Sequence, residues 1–181
     1  MTDQIRRSGR VMPFARRWHV IDEIDLAGLI GAQCGRAALC DRLEGVADAL
    51  PALPREEELD ALCGALTEMM SRDAPDEPTI LETMLLNERA DALTIAILDH
   101  VRARGAADAA MAQELIAMLR PPSADHRPSP DAMGYMLRCF FNGCRRAIDF
   151  EQLAILALAA HRLTPAARAL LTCRLSARPL A

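Results

Sequence analysis

Apolar side chains recur at spacings of three and four residues along most of this chain, and no stretch alternates apolar and polar positions as a strand would. The first such stripe predicts a helix that starts near Asp22–Asp25 and runs to about Leu50, interrupted at Arg36. Pro51 and Pro54 end this helix and start the next, since proline suits a helix end or its first turn. The stripe comprises Leu29, Ala32, Leu39, Leu43, Val46 and Leu50.

Prolines and a glycine divide the middle of the chain. Pro75 and Pro78 are expected to break or kink the second helix, whose apolar pattern resumes at residues 80–85. A third helix is predicted from about Arg89 to Leu119. Gly105 lies in its middle and weakens it by roughly 1 kcal/mol relative to alanine.

The last third of the chain adds one long helix and one short helix. Pro121–Pro130 is a proline-rich loop, helix four follows from about Asp131 to Ala160, and Thr164-Pro165 announces a short C-terminal helix. Four long amphipathic helices with short connections predict an all-α, up-down-up-down four-helix bundle. We place this bundle domain at residues 21–181, after a basic N-terminal arm at residues 1–20.

Composition narrows the class of protein. Apolar residues make up 51% of the chain and aromatic residues 3%, so the core is expected to be aliphatic. The net charge of -4 argues against a nucleic-acid-binding protein. Because no apolar run reaches ~18 residues and no secretion signal is evident, we expect no membrane association and a cytoplasmic location. The six cysteines are then expected to be reduced, small buried side chains.

Four segments, in order, carry a resemblance to a known family. They are AQCGRAALCDRLEGVADALP in helix one, DAPDEPTIL in helix two, GAADAAMAQEL in helix three, and AIDFEQLAILALAAHRLTPAARALL in helix four and the turn after it. The chain resembles the bacterial hemerythrin-like (HHE cation-binding) family over residues 24–178. In that family the first segment has a histidine before Leu-Cys-Asp-x-Leu-Glu, and the last is a His-x-x-x-Glu helix followed by Leu-Thr-Pro.

The resemblance implies a bundle around a di-iron centre held by histidines of four helices and two bridging carboxylates. By position, Glu77 and Glu151 match the carboxylates. The histidine positions carry other residues, namely Cys34, Asp73, Gly105 and Ala147. We therefore expect a vestigial site and no metal cofactor, iron being the alternative.

The loss of large ligands at Gly105 and Ala147 leaves two outcomes open: neighbouring side chains fill the space, or a pocket remains. His100 lies five residues from Gly105 and is expected to project about 140° away from it. Cys34 is interpreted as structural rather than as a redox thiol, because a thiol beside acids has low reactivity.

The two carboxylates also allow two interpretations, because a buried unpaired carboxylate is costly. In the first, helix two kinks and exposes Glu77, and an arginine neutralises Glu151, the candidates being Arg36 and Arg146. In the second, both carboxylates line a pocket that binds a cation or an amine.

The arm is the predicted partner-binding segment. Phe14 and Trp18 are interleaved with basic residues that face a single acid, and these basic residues are Arg6, Arg7, Arg10, Arg16 and Arg17. Such a segment suits an acidic protein surface or a phosphate-rich ligand. It also suits the protein's own bundle or a second copy, so a homodimer is one prediction. A loosely packed tail is the alternative.

No catalytic motif is present: there is no glycine-rich phosphate loop, no GxSxG and no HExxH. The sequence therefore predicts a non-enzymatic regulatory or protein-interaction module. The alternative is a metal-binding protein for O2, NO or iron that uses Glu77, Glu151, Cys34 and Asp73. Convergence of Glu77 and Glu151 on one interior point would favour the alternative.

Overall fold

The computed structural model describes residues 20–72, 78–86, 90–121, 123, 126 and 128–177, and the prediction of an all-α chain is confirmed for them. The helices are α1 (Glu23–Ala49), α2 (Glu56–Arg72), α3 (Ile80–Leu85), α4 (Ala92–Leu119), α5 (Pro130–Leu158), a 3-10 turn (Ala160–Arg162) and α6 (Pro165–Ser176). None of these helices combines the length and the apolar character needed to cross a bilayer.

Capping residues fix where the helices begin. The Asp22 side chain accepts hydrogen bonds from two backbone N–H groups of the first turn of α1, and Asp25 accepts one in return from the Asp22 N–H. Thr164 caps α6 by accepting from the Ala167 N–H at 3.0 Å, and Pro165 occupies the first turn. Both starts lie where the sequence predicts them, because a cap needs only local chemistry.

The four long helices contact one another in a ring: α1 packs on α2 and α5, and α4 packs on the same two helices. Ion pairs show that α1 and α5 run antiparallel. Arg145 pairs with Asp41 and Glu44, whereas Arg138, earlier on α5, pairs with Asp48, later on α1. Of the short helices, α3 packs on α1, α4 and α5, and α6 packs on α1 and α5.

The core consists of two aliphatic clusters. One includes Leu43, Leu62, Leu66, Leu115, Leu137 and Phe140. The other includes Leu26, Leu81, Leu98, Ile155 and Leu171. Residues 30–38 of α1, 99–111 of α4 and 145–154 of α5 lie between the two clusters, and they contribute few buried apolar side chains. The apolar core is therefore interrupted half-way along the long helices.

Ile21, two residues before the start of α1, is hydrogen-bonded to the segment that precedes α6. The Ile21 N–H donates to the Arg162 carbonyl at 2.8 Å, and the Thr164 N–H donates to the Ile21 carbonyl at 3.0 Å. The Ile21 side chain is 1% exposed and belongs to the second cluster. This short pairing joins the start of α1 to the turn before α6.

We expect Ile21→Ala to lower the free energy of unfolding by about 2–5 kcal/mol, because it deletes a fully buried side chain. Ile24→Ala is the matched control: Ile24 lies one turn later and is 82% exposed, so its change should stay within about 0.5 kcal/mol. Urea denaturation followed by circular dichroism measures both. Equal losses in the two variants would contradict the anchoring role of Ile21.

Candidate functional site

A cleft of about 1200 Å³ occupies the interruption between the two core clusters. Small residues from every long helix line it: Ala32, Gly35, Ala65, Gly105, Ala106, Ala109, Ala110, Gly143 and Ala147. A Cβ atom added at Gly35 or Gly105 would meet no heavy atom of another element within 4 Å. Of the two outcomes left open by the sequence, the structure shows the second: a pocket remains.

Glu151 is buried in the wall of this cleft and is fully compensated. Arg36 Nη2 donates to Oε1 at 2.7 Å and to Oε2 at 2.6 Å, and Gln33 Nε2 donates to Oε2 at 2.9 Å. Gln152 Nε2 in turn donates to Gln33 Oε1 at 2.7 Å. The prediction that an arginine neutralises Glu151 is confirmed for Arg36. The other candidate, Arg146, has no carboxylate partner among the described residues.

Two further buried carboxylates of the cleft wall are paired with arginines. Arg104 Nη2 lies 2.7 Å from Oδ1 of Asp108, which is 6% exposed. Arg102 of α4 pairs with Glu82 of α3, which is 2% exposed and also accepts the Thr79 N–H at 2.8 Å. Buried carboxylates need such partners, because an uncompensated charge away from water is strongly destabilising.

Because Gly143 has no side chain, the Arg104 guanidinium has room to pack against it in the cleft wall. The Arg104 guanidinium lies directly against the α5 backbone there, and a Cβ atom at residue 143 would collide with it. On the same wall the rings of His100 and Phe150 form a T-shaped contact, with their centroids 5.0 Å apart. His100 and Gly105 both line the cleft, which spans a broad face of α4, although helix geometry projects them about 140° apart.

Of the six positions that the sequence predicts as vestigial, four lie in the described part of the chain, and three of these line the cleft, namely Gly105, Ala147 and Glu151. Cys34 does not: it is exposed and lies 3.6 Å from Arg174 Nη2 of α6. Its assignment to the interior site is wrong, because successive residues of a helix project about 100° apart and the cleft side of α1 is formed by its neighbours.

Asp73 and Glu77 lie outside the described residues, so the convergence of Glu77 with Glu151 stays a prediction. The same holds for the basic arm. Its predicted partner-binding residues, all outside the described part of the chain, are Arg6, Arg7, Arg10, Phe14, Arg16, Arg17 and Trp18.

The described residues at these positions do not form the ligand set of a di-iron centre. Glu151 already has its oxygens bound by protein donors, Cys34 faces elsewhere, and Gly105 and Ala147 offer no side-chain donor. A di-iron centre relies on several imidazoles and carboxylates at one point. Within the described ranges no three His, Cys, Asp or Glu side chains are grouped as metal ligands.

The cysteines differ in exposure. Cys40, Cys63 and Cys144 are buried and Cys139 is half-buried, all as free thiols, whereas Cys34 and Cys173 are exposed. The expectation of six buried cysteines is therefore wrong for these last two. The hydrogen bond with Cys40, together with burial, raises the pKa of the Cys144 thiol. That thiol stays protonated and unreactive at neutral pH.

The sequence analysis did not identify four polar residues that line the cleft, namely Glu82, Arg102, Arg104 and Asp108, or the two glutamines bonded to Glu151 and to each other, Gln33 and Gln152. The sequence does contain a signal for such residues: a polar residue that interrupts an apolar stripe is expected to be buried and therefore to need a hydrogen-bond partner. Only Arg36 was recognised as such an interruption.

Comparisons of the chain with protein-family models, with curated proteins and with solved structures give no match. The hemerythrin-like resemblance consequently stays a prediction from the sequence.

We expect Arg36→Met to lower the free energy of unfolding by about 3 kcal/mol, because it leaves Glu151 buried without a cation. This is the lower end of the usual range, since the Arg36 side chain keeps 19% of its exposure. In the double variant Arg36→Met/Glu151→Leu most of the loss should disappear. Chemical denaturation of the wild type, both single variants and the double variant measures the coupling.

Arg42→Met serves as the control, because Arg42 is exposed on the same helix. Its change in unfolding free energy should be within about 0.5 kcal/mol. Strictly additive effects of the two cleft substitutions would show that Arg36 does not compensate Glu151.

Proposed function

We propose that this chain is a non-enzymatic four-helix bundle of hemerythrin-like type that has lost its di-iron site and acts in the cytoplasm as a regulatory or protein-interaction module. The observation that supports it most is the Arg36–Glu151 pair. A guanidinium from α1 holds the carboxylate that matches a bridging metal ligand of that family.

The helix arrangement supports the bundle part of the proposal. Four long helices contact in a ring, and α1 and α5 are antiparallel. These are features of an up-down-up-down bundle. The position of the cleft, half-way along the helices and walled by Gly105, Ala147 and Glu151, fits the place where such bundles hold metals.

The cleft chemistry favours loss of the metal over its retention. A metal ion at Glu151 would have to displace Arg36, and it would find no donor at Gly105 or Ala147. The alternative function, binding of iron, O2 or NO, therefore requires both the release of Arg36 and ligands such as Asp73 and Glu77 from outside the described residues.

The exposed apolar surface of the first half of α4 supports a role in protein interaction. Across residues 92–107 only Leu98 is buried, although the segment is largely apolar. Leu93 is 60% exposed and Ile95 is 47% exposed, and Leu86, just before the helix, is 46% exposed. An apolar helix is normally covered, and exposed apolar surface marks sites of association. We propose that a protein partner covers it, a second copy of the chain being the first to test.

We expect Leu93→Ser/Ile95→Ser to abolish self-association without loss of the fold, because both side chains are exposed. Size-exclusion chromatography with light scattering, over a wide range of protein concentrations, measures the mass of wild type and variant. Tyr135→Ser is the control: Tyr135 is 70% exposed on α5 and should leave the mass unchanged. A wild-type protein that stays monomeric, or a variant that still associates, would exclude this surface as a self-interface.

A further inference from the structure

Most of the charged side chains described in the cleft wall have a partner, and Arg146 is an exception. Arg36, Arg102 and Arg104 each have a carboxylate partner in the wall, and Glu68, which also lines the cleft, has a partner of its own. Arg146 is exposed at the cleft and has no carboxylate partner within the described ranges. The wall therefore offers one cation that is available to a ligand.

Helix geometry places Arg146 beside other donors. Gly143 lies three residues before it and Phe150 four residues after it, so all three share one face of α5. The Arg104 guanidinium lies on Gly143, one helical turn or about 5 Å along the axis from Arg146. His100 lies against Phe150 on the other side. Two guanidinium groups and an imidazole thus occupy neighbouring turns of the cleft wall.

The rest of the cleft is suited to an apolar chain. Leu29 and Leu39 of α1, Met69 of α2 and Val101 of α4 line it, and they connect the two core clusters across the interruption. Pockets for small organic ligands usually measure about 300–1,000 Å³, so a cleft of about 1200 Å³ has room for an extended chain. Unbranched methionine side chains adapt to such a chain.

We propose that the cleft binds an amphiphilic monocarboxylate of the fatty-acid type, with its carboxylate on Arg146 and its hydrocarbon chain along the apolar wall. A planar guanidinium matches a carboxylate in two parallel hydrogen bonds. A single negative charge is favoured, because a single cation lacks a partner. This proposal goes beyond the proposed function, since it depends neither on a lost metal site nor on a protein partner.

Isothermal titration of the full chain with dodecanoate, below its micelle concentration, tests the proposal. We expect saturable binding at one site. Arg146→Ala should weaken dodecanoate by about tenfold or more, the loss expected for a charge-assisted hydrogen bond. The same variant should leave dodecanol, which has the same chain without the charge, nearly unchanged. Arg42→Ala, on an exposed part of α1, should bind both like the wild type.

A cleft-filling substitution tests the location independently of charge. Gly105→Phe places a ring in open space and should abolish binding of both probes. Ala147→Leu fills the same cleft from α5 and replaces it if the first variant fails to fold. The proposal is overturned if the wild type does not bind dodecanoate, if dodecylammonium binds equally well, or if Arg146→Ala and the filling variants leave binding unchanged. Metal content and oligomeric state do not enter these readouts, so the proposed function stands or fails separately.

Discussion

The burial of Glu151 is the constraint on which the rest of this structure depends. Its side chain lies between two aliphatic clusters, where an uncompensated carboxylate would be strongly destabilising. Arg36 supplies the opposite charge and Gln33 a further hydrogen bond, both from α1. Because these partners belong to a different helix, the same interaction that satisfies the charge also fixes the register of α1 against α5.

The cleft between the two core clusters is formed by small side chains together with arginines. Gly105 and Ala147 keep the space between the helices open. The open interior leaves room for long guanidinium side chains: Arg36 of α1 reaches Glu151 of α5, and Arg104 pairs with Asp108 one turn later on α4. A core filled with leucine would exclude both the cleft and its charges. The aliphatic clusters at either end carry the packing that this middle region lacks.

The sequence predicts the helices well and the cleft only in part. Caps and prolines act locally, so Asp22 and Thr164 mark helix starts without knowledge of the fold. The sequence predicts two candidate partners for Glu151, Arg36 and Arg146. A buried carboxylate needs a cation nearby, but the spacing of residues along the chain does not identify which arginine provides it. Cys34 shows the limit of a register transferred by resemblance, since one residue is enough to turn a side chain away from the interior. The hydrogen bond between Gln33 and Gln152 joins positions 119 residues apart, which no local pattern reveals.

Metal content of the purified protein, measured by elemental analysis together with its visible absorption spectrum, distinguishes a lost metal site from a retained one. The protein should be produced in iron-supplemented medium and compared before and after treatment with a chelator. We expect a colourless protein without stoichiometric iron, whose helicity and thermal stability do not change on chelation. Near-stoichiometric iron with an oxo-bridge absorption band, lost together with stability on chelation, would contradict the proposal that the Arg36–Glu151 pair has replaced a metal site.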